Sequence, residues 1–178
     1  MSKTGGLRWG GLLVVRRWQN EEGAVVAKNY GGFDGDPWPG KLGVLADFIE
    51  DGLVAATHFS RVKSYYDVVS KLWPCDLVYL SFGTTAALPD SLQTRFRLRG
   101  YDCGFYKSEF SCFSAILNEV LGSFEILAEV RKWLNPHLLF PSFEVANRFR
   151  QMRAKLLRKG IGLESGGPSC RVITVHGT

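Results

Sequence analysis

The sequence predicts one α+β domain, a mainly antiparallel sheet packed against several helices, and three observations lead there. The chain has 178 residues, 46% of them hydrophobic and 13% aromatic, enough apolar material for a full core. A domain near this size buries roughly 70% of the surface that its unfolded chain would expose. Runs with strand character and runs with helical spacing both occur, but they do not alternate as a doubly wound parallel sheet requires. No internal repeat divides the chain, so residues 1–178 read as a single unit, with the Gly/Ser-rich stretch 164–169 as its one flexible candidate.

Residues 9–17 and 24–30 are β-branched and apolar, and the Gln-Asn-Glu-Glu-Gly run between them supplies turn chemistry, so they predict a hairpin. Residues 31–40 hold four Gly, two Pro and two Asp, which excludes regular structure. Helical spacing resumes over 41–51 through Leu42, Leu45 and Ile49, with Val44 and Phe48 alongside, and Gly52 ends it. A second helix is predicted from Ser60 as N-cap, with Val62, Tyr65, Tyr66, Val69 and Leu72 on one face and its end before Pro74.

Residues 76–82 predict a strand, and 92–106 mix Arg, Phe and Tyr in near alternation, as an edge strand plus turn would. Residues 109–121 and 124–134 both carry helical spacing and form a predicted helical hairpin, halted at Asn135-Pro136. The longest predicted helix covers 142–159, with Val145, Phe149, Met152 and Leu156 on its apolar face, Ser142 as N-cap and Gly160 after its end. Residues 170–175 return as a last strand.

No apolar run approaches the ~20 residues of a membrane span. The N-terminal apolar run is cut by Arg16 and Arg17 without a small-residue cleavage site, so neither a signal peptide nor a membrane partner is expected. The four cysteines, at 75, 103, 112 and 170, form no Cys-x-x-Cys pair, and reduced thiols in a cytoplasmic protein follow. The net charge of +5 favours acidic partners.

Chemistry could reside in three places. Asp34 and Asp36 could converge on a hard cation, but the further ligands of a calcium loop are missing, and turn-stabilising carboxylates are the better reading. Phe33 and Trp38 flank them on a rigid Pro/Gly loop, where exposed aromatics would serve as contact anchors. Residues 100–113 hold five aromatics and two cysteines; Cys103 or Cys112 could act as a nucleophile with His58 as base, yet buried thiols in an aromatic core explain the pattern more simply. Glu109 and Glu119 are about 15 Å apart along one predicted helix, too far for paired acid–base work. Phosphate-cradling loops, nucleophile elbows and His-Glu-x-x-His are absent, so no cofactor, metal or catalysis is predicted.

Arg148, Arg150, Arg153, Lys155, Arg158 and Lys159 fall in the last predicted helix with no acid among them. They read first as an ordinary solvated face that also complements the helix C-terminus. The alternative is a phosphate-binding stripe of a nucleic-acid-binding or regulatory protein, carried by Arg148, Arg150, Arg153 and Arg158.

Two stretches bear on function. One is Tyr30-Gly-Gly-Phe-Asp-Gly-Asp-Pro-Trp-Pro-Gly running into the Leu42 helix. The other is Gly100-Tyr-Asp-Cys-Gly-Phe-Tyr-Lys-Ser-Glu-Phe, followed by 113–120 and Leu138-Leu-Phe-Pro. Together they cover about a third of the chain, and they resemble bacterial immunity-type proteins, the inhibitors of secreted polymorphic toxins. The resemblance implies an α+β plan, one-to-one binding of a cognate protein toxin and no catalysis, with Phe33, Asp34, Asp36, Trp38, Tyr101 and Tyr106 as partner-binding residues. The basic charge departs from acidic inhibitors that mimic nucleic acid, and it points to shape complementarity or to blockage away from the toxin's active site.

Overall fold

The computed structural model describes residues 10–19, 21, 25–29, 49–50, 53–54, 56–82, 88–104, 129–159 and 171–178, and every structural statement below refers to these. Seven strands form one sheet: β1 (Gly10–Gln19), β2 (Val25–Asn29), β3 (Ile49–Glu50), β4 (Leu53–Val54), β5 (Asp76–Phe82), β6 (Arg97–Gly104) and β7 (Arg171–Gly177). Helices α1 (Phe59–Val69), α2 (Asp90–Gln93) and α3 (Phe143–Arg158) accompany it. The strand order is β3-β4-β1-β5-β7-β6, with β2 paired to β1, and every pairing is antiparallel. The fold is therefore α+β, as the mixed pattern of runs predicts.

The central strands explain their own sequences. Leu12 and Val14 of β1 and Leu77 and Tyr79 of β5 enter one core cluster with Val62 and Val69 of α1 and with Leu92 and Phe96. Leu13, Val15, Val78 and Leu80 enter the other, with Val175, Val130, Phe140, Ala146 and Phe149. Successive residues of a strand point to opposite faces, so a strand covered on both faces reads as a continuous apolar run. Leu12–Val15 and Leu77–Leu80 are such runs.

Helix α3 begins as predicted: Ser142 Oγ accepts the Val145 N–H at 3.3 Å and Ser142 O accepts the Ala146 N–H at 3.1 Å. Phe149 is fully buried, its ring 5.1 Å from that of Phe140. Helix α3 packs on β6 and β7, whereas α1 packs on β1 and β5.

Several expectations are corrected. Ile49–Glu50, the end of the helix predicted over 41–51, is strand β3, paired with β4 through Ile49↔Val54 and Glu50↔Leu53. The Asp-Gly pair between β3 and β4 in the sequence is a hairpin signal that outranks the helical spacing before it. Ser60 is not the N-cap of α1: His58 holds that position without a side-chain cap bond, because a 3₁₀ turn, Ala56–His58, runs directly into the helix. Leu72 does not lie on the buried face; α1 ends at Val69 and Leu72 is 56% exposed. Within 92–106, the strand is β6 alone, preceded by the short helix α2. The helix predicted over 109–121, the loop 31–40 and the stretch 164–169 lie outside the described residues.

Strand β6 is outermost in the strand order, and a loop covers its free edge. Tyr101 and Phe140 exchange backbone hydrogen bonds of 2.8 and 2.9 Å, and Asn135 Nδ2 donates to the Arg99 carbonyl at 2.7 Å. The Asn135 Oδ1 atom accepts the N–H groups of His137 and Leu139, which fixes the loop's own shape. Gly100, at φ +150°, is required here: a Cβ would lie 2.7 Å from the Phe140 carbonyl oxygen and 2.8 Å from Leu139 Cβ. A covered edge cannot pair with a second chain.

Candidate partner-binding surface

Of the residues singled out for partner binding, Phe33, Asp34, Asp36, Trp38 and Tyr106 lie outside the described residues. Tyr101 is half-buried on β6, its ring edge-on to Phe143 with centroids 6.2 Å apart, so part of it belongs to the packing between β6 and α3.

Of the groups with reactive chemistry, Cys103 is turned inward, whereas His58 is only partly buried. Cys103 is fully buried and its Sγ donates to the Ala146 carbonyl at 3.4 Å, while His58 sits at the start of α1 with Nδ1 3.2 Å from Thr57 Oγ1. Cys103 is thereby a packing residue of the β6–α3 contact. Cys75 is partly buried, and burial, with Asp76 beside it, pushes its thiol up from the usual range. Both of these thiols are free of disulfide bonds. Among the described residues no group of three His, Cys, Asp or Glu could hold a metal ion.

Asp102 is the most perturbed acid. It is 1% exposed, accepts the Cys103 N–H at 2.6 Å and lies 3.4 Å from Arg17 Nη2 of β1. Burial raises its pKa to about 6, against the opposing effects of the Arg17 charge and the two hydrogen bonds. Strands β5 and β7 stand between β1 and β6, and a flat sheet would hold the two backbones about 14 Å apart. The pair therefore joins strands that are not neighbours, across the curl of the sheet.

The arginines of α3 divide by position. Arg153 is 3% exposed and belongs to the interior, which corrects its place in a solvated or phosphate-binding stripe. Arg150 Nε donates to Asn147 Oδ1 at 2.9 Å, and the Arg148 guanidinium stacks 4.6 Å over the Trp133 ring. Lys155, Arg158 and Lys159 are exposed. The twelve-residue run of cations is thus partly consumed by packing.

What faces outward and is apolar lies elsewhere. The exposed large hydrophobic residues are Val68, Leu72, Trp73 and Leu98, at 39, 56, 39 and 51% exposure. Three of them fall in one short run at the end of α1. There the N–H groups of Ser70, Leu72 and Trp73 bond to the carbonyls of Tyr66, Val69 and Val69, a tight turn that closes the helix, and Pro74 cannot continue it. No known protein family, curated protein or solved structure matches this chain.

Of this run, the helical spacing places Val69 and Leu72 on the buried face, and only Val69 is there. The Trp-Pro pair after Ser70-Lys71 was the available signal that the helix had ended and that its last apolar residues had left the core side. What this surface can do chemically is desolvate apolar area against another protein, with Trp73 as the largest contact.

Proposed function

We propose that this chain is a non-catalytic binding protein, an inhibitor of the immunity type that neutralises a cognate protein toxin by one-to-one association. The observation that carries the reading is the exposed apolar run Val68, Leu72 and Trp73, set beside a Cys103 thiol and an Asp102 carboxyl that are engaged in packing and in an ion pair. Surface apolar side chains gathered at one place support association, because their burial is what an interface centre supplies. The resemblance of residues 30–40 and 100–110 to immunity-type proteins supports the inhibitory role and the class of partner.

The test is to mix the purified chain with the product of the neighbouring reading frame and to measure the mass of the complex and the partner's activity. A one-to-one complex that silences the partner is expected. Leu72→Ser with Trp73→Ser should weaken it by tenfold or more, about 1.4 kcal/mol, while the melting temperature holds. A complex indifferent to both substitutions, or turnover of a substrate by the chain itself, would refute the reading.

A further inference from the structure

Strand β1 runs on past the strand beside it. Its residues 10–15 pair with β5, whereas residues 16–19 pair, among the described strands, with β2 alone, through Arg16↔Lys28, Arg17↔Ala27, Trp18↔Val26 and Gln19↔Val25. Strand β4 meets β1 further back, at Leu12. The end of β1 and the facing part of β2 therefore form a two-stranded arm rooted in the sheet at Val15. A two-stranded ribbon is marginal on its own in water, so the seat of this arm depends on what its inner face touches.

Two contacts hold that face. Val25 is fully buried in the core cluster that includes Leu13, Val15, Val175 and Phe149. Arg17, its side chain 6% exposed, places Nη2 3.4 Å from Asp102 Oδ2 of β6, while Asp102 Oδ1 accepts the Cys103 N–H at 2.6 Å. No described pairing joins β1 to β6, so the ion pair ties the arm to the outermost strand through side chains.

The tie has a cost that depends on charge. A buried carboxylate loses its hydration, and a single guanidinium contact offsets that only in part: burial raises the Asp102 pKa to about 6 in spite of Arg17. The buried Arg17 Nε atom has no hydrogen-bond partner among the described residues. Strand β7 sets the uncharged Ile173 opposite Asp102 in register. Of the charged groups that β1, β6, β7 and α3 carry, the buried Arg153 and the half-buried Arg99, Arg150 and His176 included, Arg17 is the one that acts on the carboxyl.

Protonation is thereby coupled to the position of the arm. With the arm seated, Asp102 is buried and holds a proton up to about pH 6; with the arm lifted, the carboxyl meets water and returns toward its ordinary 3.8. Seating is favoured in full below about pH 4 and loses ground as pH rises to about 6, above which the balance is level.

We propose that residues 16–19 and 25–28 form a hinged arm clasped to β6 by Arg17 and Asp102, seated in acid and lifting by local opening as the pH approaches neutrality. Lifting uncovers Val25 and leaves the pairing of β5 with β1 and β7 in place. The proposal goes beyond the binding reading and does not rest on it.

Methyl NMR of the full chain with a neutral gadolinium chelate tests it, because the relaxation that the chelate adds to a methyl signal follows exposure and not protonation. Val25 reports the arm, and Val175, equally buried on β7, reports the body of the sheet. Between about pH 4 and pH 7 the enhancement at Val25 should rise about tenfold while that at Val175 holds. Asp102→Asn should keep the Val25 value low at every pH. Arg17→Gln, which removes the charge that favours the ionised carboxyl, should raise the Val25 value at pH 7 above wild type and move the transition to higher pH.

A Val25 signal indifferent to pH, or one that follows pH in Asp102→Asn as it does in wild type, would overturn the proposal. So would Val25 and Val175 rising together, since the whole core would then be opening. Should Arg17→Gln fold poorly, the wild-type titration and Asp102→Asn decide the matter by themselves.

Discussion

Helix α3 and the segment 95–99 are both rich in arginine, and they use it in opposite ways. On α3 the cations are twelve residues deep in sequence, yet Arg153 is inside, Arg150 is tied to Asn147 and Arg148 lies on Trp133. On 95–99 there are only three: Arg95 lies over the Phe59 ring, Arg97 bonds to backbone carbonyls, and Arg99 donates to Thr178 beside His137. The difference teaches that the density of charge along a sequence does not measure the charge a surface presents. A helix that must bury one stripe turns some of its long side chains inward, where their methylene stems pack. Phe96, just before β6, enters one core cluster and Tyr101 packs against the other, while Arg95 and Arg97 stay exposed.

The largest effect that would break this comparison lies on the buried face of α3. Phe149→Ala should cost about 3–5 kcal/mol, because the ring is fully buried against Phe140 and its removal leaves a cavity between α3 and the sheet. Chemical denaturation measures it; a loss below 1 kcal/mol would mean that α3 is not docked as described.

The next effect sharpens the β6 side through pH. Asp102 has a folded pKa of about 6, above its unfolded value of 3.8, so the folded state binds the extra proton between those two values. Stability from this group is present in full below about pH 4 and is lost as pH rises to about 6, on the order of 3 kcal/mol. His176 acts with the opposite sign: burial lowers its pKa from 6.5, so its contribution is present above that value and falls away on acidification. Asp102→Asn should remove the first slope and leave the second. Denaturant melts across pH 4 to 8 would show it, and an unchanged slope in the variant would put the buried charge elsewhere.

Third comes a contrast within α3 itself. Arg153→Gln should cost about 2 kcal/mol through lost packing and unpaired buried groups, whereas Arg158→Gln should stay within about 0.5 kcal/mol. Equal losses would mean that both side chains share one environment. The smallest expected effect is at the cap: Ser142→Ala should cost about 1 kcal/mol by freeing the Val145 N–H, read as a fall in melting temperature.

Local signals carried much of this architecture. The hairpin of β1 and β2, strand β5, the start of α3 and strand β7 all follow from β-branched runs, an N-cap serine and a 4-3-4 apolar repeat, each of which acts within a few residues. Strand order does not act locally. Nothing near residue 171 states that β7 pairs with both β5 and β6, because that pairing is decided by which apolar faces remain to be covered. The outward turn of Leu72 and Trp73 was legible only through Pro74, and the Arg17–Asp102 pair, 85 positions apart, was not legible at all. The alternating arginines of 95–99 were visible as letters. What each guanidinium meets, the Phe59 ring for Arg95, backbone carbonyls for Arg97 and Thr178 for Arg99, was not legible there.

The position of β7 has a consequence for the order in which the molecule can be made. Residues 171–177 pair on one side with β5 and on the other with β6, so the sheet's continuity from β1 to β6 passes through the strand that leaves the ribosome last of the seven. Until it is present, β5 has an unpaired edge and β6 has no strand neighbour in the sheet. Synthesis proceeds at about 5–20 residues per second, so the nascent chain spends several seconds holding an open, apolar β5 edge next to a strand it cannot yet bind. The first five strands and α1 can gather around their own cluster during that interval. The α3 layer, which rests on β6 and β7, has no platform until the final strand slots between the two waiting edges. A ribosome-stalled chain ending before residue 171 should accordingly bind chaperones that the finished chain releases.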